Sequence, residues 1–263
     1  MSKPKKPPRP VHSATVVGTE MIAPDMIRVI LGGDGLRALP ELTHTDHYVK
    51  FKFGEVTRTY TVRWFDREAN QMAIDFVIHG DTGLAGPWAA RAQPGDEISF
   101  AGPGGKWRPS TDADLHLLVG DEAAIPAIAA ALDSLPDDAA VRVFLEVASA
   151  DHHQPLRETS RTEVTWVHRD EHVTADGKRL GYGEALTLAV MRAGLPVGVR
   201  ADRVEAFVHG NADMVKPLRR YLFKQAGVPR ERVSISGYWR TGMDEDGWQS
   251  SKFEFNAAME AED

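Results

Sequence analysis

The period of the apolar residues changes once along this chain, and that change limits the fold more than any other feature. From Val11 to about Arg108 apolar and polar residues alternate in short runs broken by Gly, Pro and Asp, which is the period of strands. In His47–Phe53, for example, Val49, Phe51 and Phe53 share one face and Lys50 and Lys52 the other. Met26–Leu31, Thr57–Arg63, Met72–Ile78 and Glu97–Phe100 read the same way. Short strands joined by turns, with hardly any helical period, predict a small antiparallel barrel over residues 11–110. After the polar stretch Arg108–Asp112 strands and helices alternate instead. Strands are expected at Leu115–Val119, Val141–Val147, Val164–Val167, Val204–His209 and Val233–Ser236, and helices at about Pro126–Leu135, Glu184–Ala193 and Ala212–Ala226. That order predicts an α/β domain over residues 114–250, built on a parallel sheet whose ligands sit beyond the carboxyl ends of the strands.

Composition removes whole classes of function. A chain of 263 residues with 42% hydrophobic side chains can fill two cores. There is no cysteine, so disulfides, iron–sulfur clusters, thiolate zinc sites and thiol catalysis are excluded together. The formal charge of -7 lacks the basic balance of a general nucleic-acid binder, and any anionic ligand must meet a local basic patch. No apolar run approaches the roughly 20 residues that cross a bilayer, which gives the expectation of a soluble cytoplasmic protein with no membrane insertion. Residues 1–10, where four prolines alternate with Lys3, Lys5, Lys6 and Arg9, are expected to be an extended basic tail, and residues 251–263 an acidic one. The sequence holds no internal repeat.

Several motifs fail on their physics. Gly102–Lys106 resembles a phosphate loop, but Trp107 stands where a Ser or Thr would bind magnesium and no helix follows, so a turn is expected. Gly181-Tyr182-Gly183 reads as the start of a helix. His168 and His172 have helical ligand spacing, yet Arg169-Asp170-Glu171 between them reads as a polar loop; neither His44 with His47 nor His152 with His153 has a third ligand nearby. No metal site is expected. A serine hydrolase has no G-x-S-x-G elbow to start from.

Arg58-Thr59-Tyr60-Thr61-Val62-Arg63 is the informative segment. On a regular strand Arg58 and Tyr60 face one way and Thr61 and Arg63 the other, so one short piece offers a cation, an aromatic plate and a hydroxyl. A flavin needs charge for its pyrophosphate, a ring to stack on the isoalloxazine, and a polar group at the edge where electrons enter. The same residues also suit an ordinary strand with a core tyrosine and two solvated arginines.

Arg58–Arg63 fits an R-x-Y-[ST]-x-R flavin motif, and the chain resembles the siderophore-interacting protein family, FAD-dependent ferric-siderophore reductases related to ferredoxin–NADP reductases. The matching stretches are Thr45–Lys50, His79-Gly80-Asp81 with Gly83–Trp88, Pro94–Asp96, Gly102–Gly105, Gly120–Glu122 with Pro126–Ile128, and Gly237–Arg240. They lie in the family's order and cover nearly the whole chain.

The resemblance implies a Greek-key FAD-binding barrel followed by an NAD(P)H-binding domain, and electron flow from NADH or NADPH through FAD to Fe(III) in a siderophore. It implies that Tyr60 stacks on the isoalloxazine, Thr61 lies near its N5 edge, and Arg58 and Arg63 hold the phosphate end. His79 and Gly80 would border the flavin, and Gly83, Ala85, Gly86 and Trp88 would form a turn presenting backbone N–H groups to the pyrophosphate. Gly120, Asp121 and Glu122, with Ala123, would receive the dinucleotide, and Gly210 and Asn211 would stand next to the nicotinamide. Relatives usually carry Ser, Ser or Thr, and Glu at the positions of Gly86, Ala123 and Asn211, departures that bear on phosphate and reductant binding. Lys50, Lys52 and Arg240 would face an anionic siderophore, and no catalytic acid or base is required. A monomer without a nucleic-acid partner is the expectation. The alternatives are a flavin-dependent reductase of another acceptor, such as flavin, a quinone or a redox protein, and a siderophore-binding carrier without turnover.

Overall fold

The alternating runs of the first half become six strands, β1 (Val11–Ala23), β2 (Met26–Gly32), β3 (Tyr48–Phe53), β4 (Val56–Asp66), β5 (Gln71–Val77) and β6 (Glu97–Gly104). The computed structural model, which describes residues 10–78, 83–172, 177 and 179–261, closes them into an antiparallel barrel in the order β1-β2-β5-β4-β3-β6. The pairing of β2 with β5 and the return of β6 between β3 and β1 are Greek-key connections, and closure leaves no sheet edge exposed. Alternation does the sorting: Val49 and Phe51 are fully buried while Lys52 is exposed. Two short helices, α1 (Asp34–Arg37) and α2 (Ala85–Arg91), complete this unit. Neither has enough turns to show a period in the sequence. The Gly102–Gly104 piece, expected as a turn, forms the end of β6.

His47 secures the start of β3. Its Nε2 accepts from the His44 backbone N–H at 3.1 Å, so Nδ1 carries the proton and donates to the Gly104 carbonyl at 3.0 Å. Asp46 accepts from the Lys106 N–H at 2.8 Å. Burial lowers the His47 pKa, which keeps the ring neutral in this role.

The second half forms β7 (Leu115–Asp121), α3 (Ile125–Ser134), β8 (Val141–Val147), β9 (Thr162–His168), α4 (Glu184–Ala193), β10 (Val204–Asn211), α5 (Ala212–Arg220), β11 (Val233–Trp239) and α6 (Glu245–Ala261). All five strands are parallel, in the order β11-β10-β7-β8-β9. β7 and β10 are buried along their whole length because helices cover both faces, α3 over one apolar cluster and α4 with α5 over the other. Strand order reverses between β7 and β10, and at such a point an open α/β sheet has its ligand crevice.

The chain divides into two units, Met1–Lys106 and Trp107–Asp263. The division precedes the expected linker because Trp107 packs on Phe207, centroids 4.5 Å apart, and donates from Nε1 to Glu205 at 3.0 Å. The helix expected over Ala212–Ala226 ends at Arg220 and continues as a π-helical turn, Tyr221–Gln225. Most of the expected acidic tail is helix α6. Trp248, Phe255 and Met259 lie on one face of it, and Trp248 is buried against Gly237, where a Cβ would come within 2.8 Å of the indole. The expected basic tail lies outside the described residues except for Pro10. Among the described residues no helix is long and apolar enough to cross a membrane.

Candidate functional site

In the barrel, Arg58 pairs across the ladder with Phe51 and Tyr60 with Val49, so both side chains lie on the face that carries the core. Tyr60 rests against Phe76, centroids 4.3 Å apart, and Phe51, at 6.3 Å. Trp88 of α2 meets the same two rings at 5.6 and 6.3 Å. Two half-buried aromatic side chains, far apart in sequence, thus share one phenylalanine floor. Such a floor fixes the plane of Tyr60 and suits it to stack a flat ring.

Thr61 pairs with Tyr48 and Thr59 with Lys50, so Lys50 and Thr61 lie on the other face. Regular alternation stops there. Val62 pairs with Ile74 and Trp64 with Ala73, which leaves Arg63 as the extra residue of a β-bulge. The expectation that Arg63 continues the Thr61 face is therefore corrected: a bulge re-aims its side chain. Arg58 donates from Nη1 to the Thr57 carbonyl at 2.9 Å. Gly83, with a left-handed φ of 86°, leads into α2, and the expected turn through Ala85, Gly86 and Trp88 is the start of that helix; the Ala85 and Gly86 N–H groups lie outside the helix ladder, whereas Pro87 has no N–H and that of Trp88, contrary to expectation, donates to the Leu84 carbonyl at 3.1 Å. His79 and Gly80 lie outside the described residues. Thr45 Oγ1, just before β3, is buried without a hydrogen-bond partner. The braced tyrosine, the cation on its face and the helix start fit a flavin nucleotide.

In the second unit one carboxylate joins the strand ends. Asp121 Oδ2 accepts from the Asn211 N–H at 2.7 Å and from Trp239 Nε1 at 2.8 Å, and Oδ1 accepts from the Ala123 N–H at 3.0 Å. Gly210 has a φ of 133°, and a Cβ there would lie 2.6 Å from the Asp121 carboxyl. Gly120 is equally constrained, since a Cβ would meet that of Ala124 at 2.5 Å. Burial, then the charge of Glu122, pushes the Asp121 carboxyl up to about 7. Glu122 takes both terminal nitrogens of Arg169, whose guanidinium also lies 3.6 Å from Glu146. Glu146 accepts the Gly183 N–H at 2.9 Å, and burial raises its pKa as well. Two carboxylates, Glu122 and Glu146, therefore flank a single guanidinium.

Asn211 is buried, with both polar ends of its side chain bonded. Its Oδ1 accepts from the Asp213 N–H at 2.8 Å, capping α5, and its Nδ2 donates to Thr241 Oγ1 at 2.8 Å. A glutamate could not donate the second bond and would have to accept from the Thr241 hydroxyl instead. Lys50 is half-buried and Lys52 exposed. Arg240 donates from Nε to Asp213 at 3.0 Å and lies over Phe255. Glu146, Arg169, Tyr182 and Trp239 were not singled out as site residues from sequence. The lone carboxylate of Glu146 inside the apolar stretch Val143–Val147 is their one local signal.

His153 and His168, not paired by sequence reading, meet through Nε2 at 2.7 Å, with Glu171 on His168 Nδ1 at 3.0 Å. Among the described residues no group of three or more acidic or histidine side chains is placed to hold a metal ion.

Residues 54–107 match the siderophore-interacting FAD-binding domain, and residues 113–242 match the siderophore-interacting protein domain. An uncharacterized protein of Mycobacterium tuberculosis is 38% identical over 280 residues, covering 95% of this chain and 97% of that one. The ferric vibriobactin reductase ViuB of Vibrio cholerae is 28% identical over 258 residues, 90% of this chain and 92% of its own. The crystal structure of a siderophore utilization protein from T. fusca superposes with a TM-score of 0.78 at 35% identity, covering 90% of this chain and 95% of that one. With matches along nearly its whole length, a Greek-key barrel and a parallel-sheet second unit, the chain belongs to the siderophore-interacting protein family, FAD-binding domain included.

Proposed function

We propose that this protein is a cytoplasmic ferric-siderophore reductase, which takes electrons from NADH or NADPH and delivers them, by way of FAD, to Fe(III) held in a siderophore. The observation that carries the reading is Tyr60 braced on Phe51 and Phe76 within the Arg58–Arg63 motif. FAD, when bound, supplies the conversion from a two-electron donor to a one-electron acceptor. One nicotinamide nucleotide gives up a hydride, and its two electrons reduce two Fe(III) to two Fe(II) with release of one proton. Iron leaves because Fe(II), with less charge, holds hard oxygen ligands more weakly.

The protein's own part is binding and orientation. Tyr60 holds the plane of the ring system, Arg58 and Arg63 neutralise phosphate, and Thr61 offers a hydroxyl at the ring edge. In the second unit Asp121 fixes the β7, β10 and β11 ends against one another, and Asn211 holds the start of α5. Lys50, Lys52 and Arg240 would attract an anionic siderophore.

The test is NAD(P)H oxidation by the flavin-loaded protein with and without a ferric siderophore. Siderophore-dependent turnover is expected. Turnover with free flavin or a quinone alone would assign another acceptor, and tight siderophore binding without oxidation would make the protein a carrier. Tyr60→Ala and Arg58→Ala are each expected to weaken FAD by on the order of 1 kcal/mol or more, with the α/β unit still folded. Full flavin content at wild-type affinity in both variants would remove the motif from the site.

A further inference from the structure

A pocket of 540 Å³ opens in the second unit where α4 and α5 begin. Tyr182 forms one wall, edge-on to Trp239 with centroids 5.1 Å apart and with the Arg169 guanidinium 4.6 Å from its ring. Leu188 adds apolar surface and Thr241 a hydroxyl. Thr187 also lines the pocket, and its buried Oγ1 has no hydrogen-bond partner. Two carboxylates complete the polar part. Glu184 accepts the Gly181 N–H at 2.9 Å through one oxygen, and Asp213 accepts from Arg240. Among the described residues that line the pocket there is no lysine or arginine.

These groups select a ligand by chemistry. An orphaned hydroxyl and two carboxylates present acceptors to a vicinal diol, and a braced tyrosine presents a flat face to a heteroaromatic base. A phosphate ester on that diol would bring a dianion towards Glu184 and Asp213; among the described residues the lining supplies no cation, and Arg240 beside it is already paired with Asp213. We propose that this pocket receives the adenosine part of the reductant and rejects a 2′-phosphate, so that the protein works with NADH in preference to NADPH. The inference rests on the reading that the second unit binds a nicotinamide dinucleotide.

ADP-ribose and 2′-phospho-ADP-ribose, which differ only in that phosphate and carry no hydride, separate the possibilities by isothermal titration of the FAD-loaded full chain. ADP-ribose is expected to bind at least about tenfold more tightly. Thr187→Val should weaken both probes alike, and Glu184→Gln should narrow the ratio between them by removing charge while keeping an oxygen acceptor for Gly181. Equal or tighter binding of 2′-phospho-ADP-ribose by the wild type would overturn the inference, as would an unchanged ratio in Glu184→Gln. If neither probe binds but NADH or NADPH still reduces the bound flavin, the inference fails and the reductase reading stands. If neither nucleotide reduces the flavin, the reading itself fails, whatever the probes do.

Discussion

His209 is buried in β10, stacked on Phe207 with centroids 3.9 Å apart, and its Nε2 meets Ser234 Oγ at 2.9 Å while Nδ1 has no partner. Burial, then the charge of Lys252, pushes its pKa down to about 3. The unfolded chain therefore takes up this proton first, so the stability is fully present above the ordinary histidine value and is lost as pH falls towards 3. Asp121 acts in the opposite sense. Its folded pKa, about 7, lies above the unfolded value, so its contribution is present in acid and is lost as pH rises through 7. Each group adds a slope of up to about 1.4 kcal/mol per pH unit within its window. Melting temperature measured against pH is expected to lose its acid limb in His209→Gln, which keeps a partner for Ser234, and to lose its decline towards neutrality in Asp121→Asn. Wild-type slopes in both variants would show that other groups set the pH dependence.

Helix α6 contributes an element that the sequence did not announce. Its polar residues outnumber the apolar ones, and only the spacing of Trp248, Phe255 and Met259 along one face reveals what it covers. Trp248 is almost fully buried, so Trp248→Ala is expected to cost roughly 3–5 kcal/mol, and a chain ending at Asp244 should melt at lower temperature with the apolar dye ANS bound to the newly exposed β11 side. A melt identical to the full chain's would mean that the helix adds nothing. The other elements were easier to read. β8 and α4 have the predicted bounds, because Val141–Val147 is a predominantly apolar run broken only by Arg142 and Glu146, and Glu184–Ala193 is a regular amphipathic one. α2 was hidden because its seven residues make scarcely two turns.

Over the whole molecule the formal charge of -7 opposes the approach of an anionic siderophore, and local cations must reverse it. Of the three cations proposed for this, Lys50 and Arg240 are not equivalent. Lys50 stands on the outward face of β3 beside Thr59, whereas Arg240 is already paired with Asp213. Lys50→Ala is therefore expected to weaken an anionic ferric siderophore by roughly 1 kcal/mol at low salt, Arg240→Ala by less, with both effects shrinking as salt rises and FAD content unchanged. Equal affinity of the wild type and the double variant at low ionic strength would place the acceptor elsewhere. What the sequence alone determined is what depends on neighbours in the chain: strand against helix, the change of architecture near residue 108, and the Arg58–Arg63 motif with its family resemblance. Periods of two and 3.6 residues are local, so local order suffices to read them. Only the tertiary structure decided that Tyr60 and Trp88 share one floor, that a bulge turns Arg63, and that Asp121 holds Asn211 and Trp239, 90 and 118 residues away. Those contacts arise when barrel closure and parallel strand pairing bring distant segments together, and no short-range pattern encodes which carboxylate will meet which N–H.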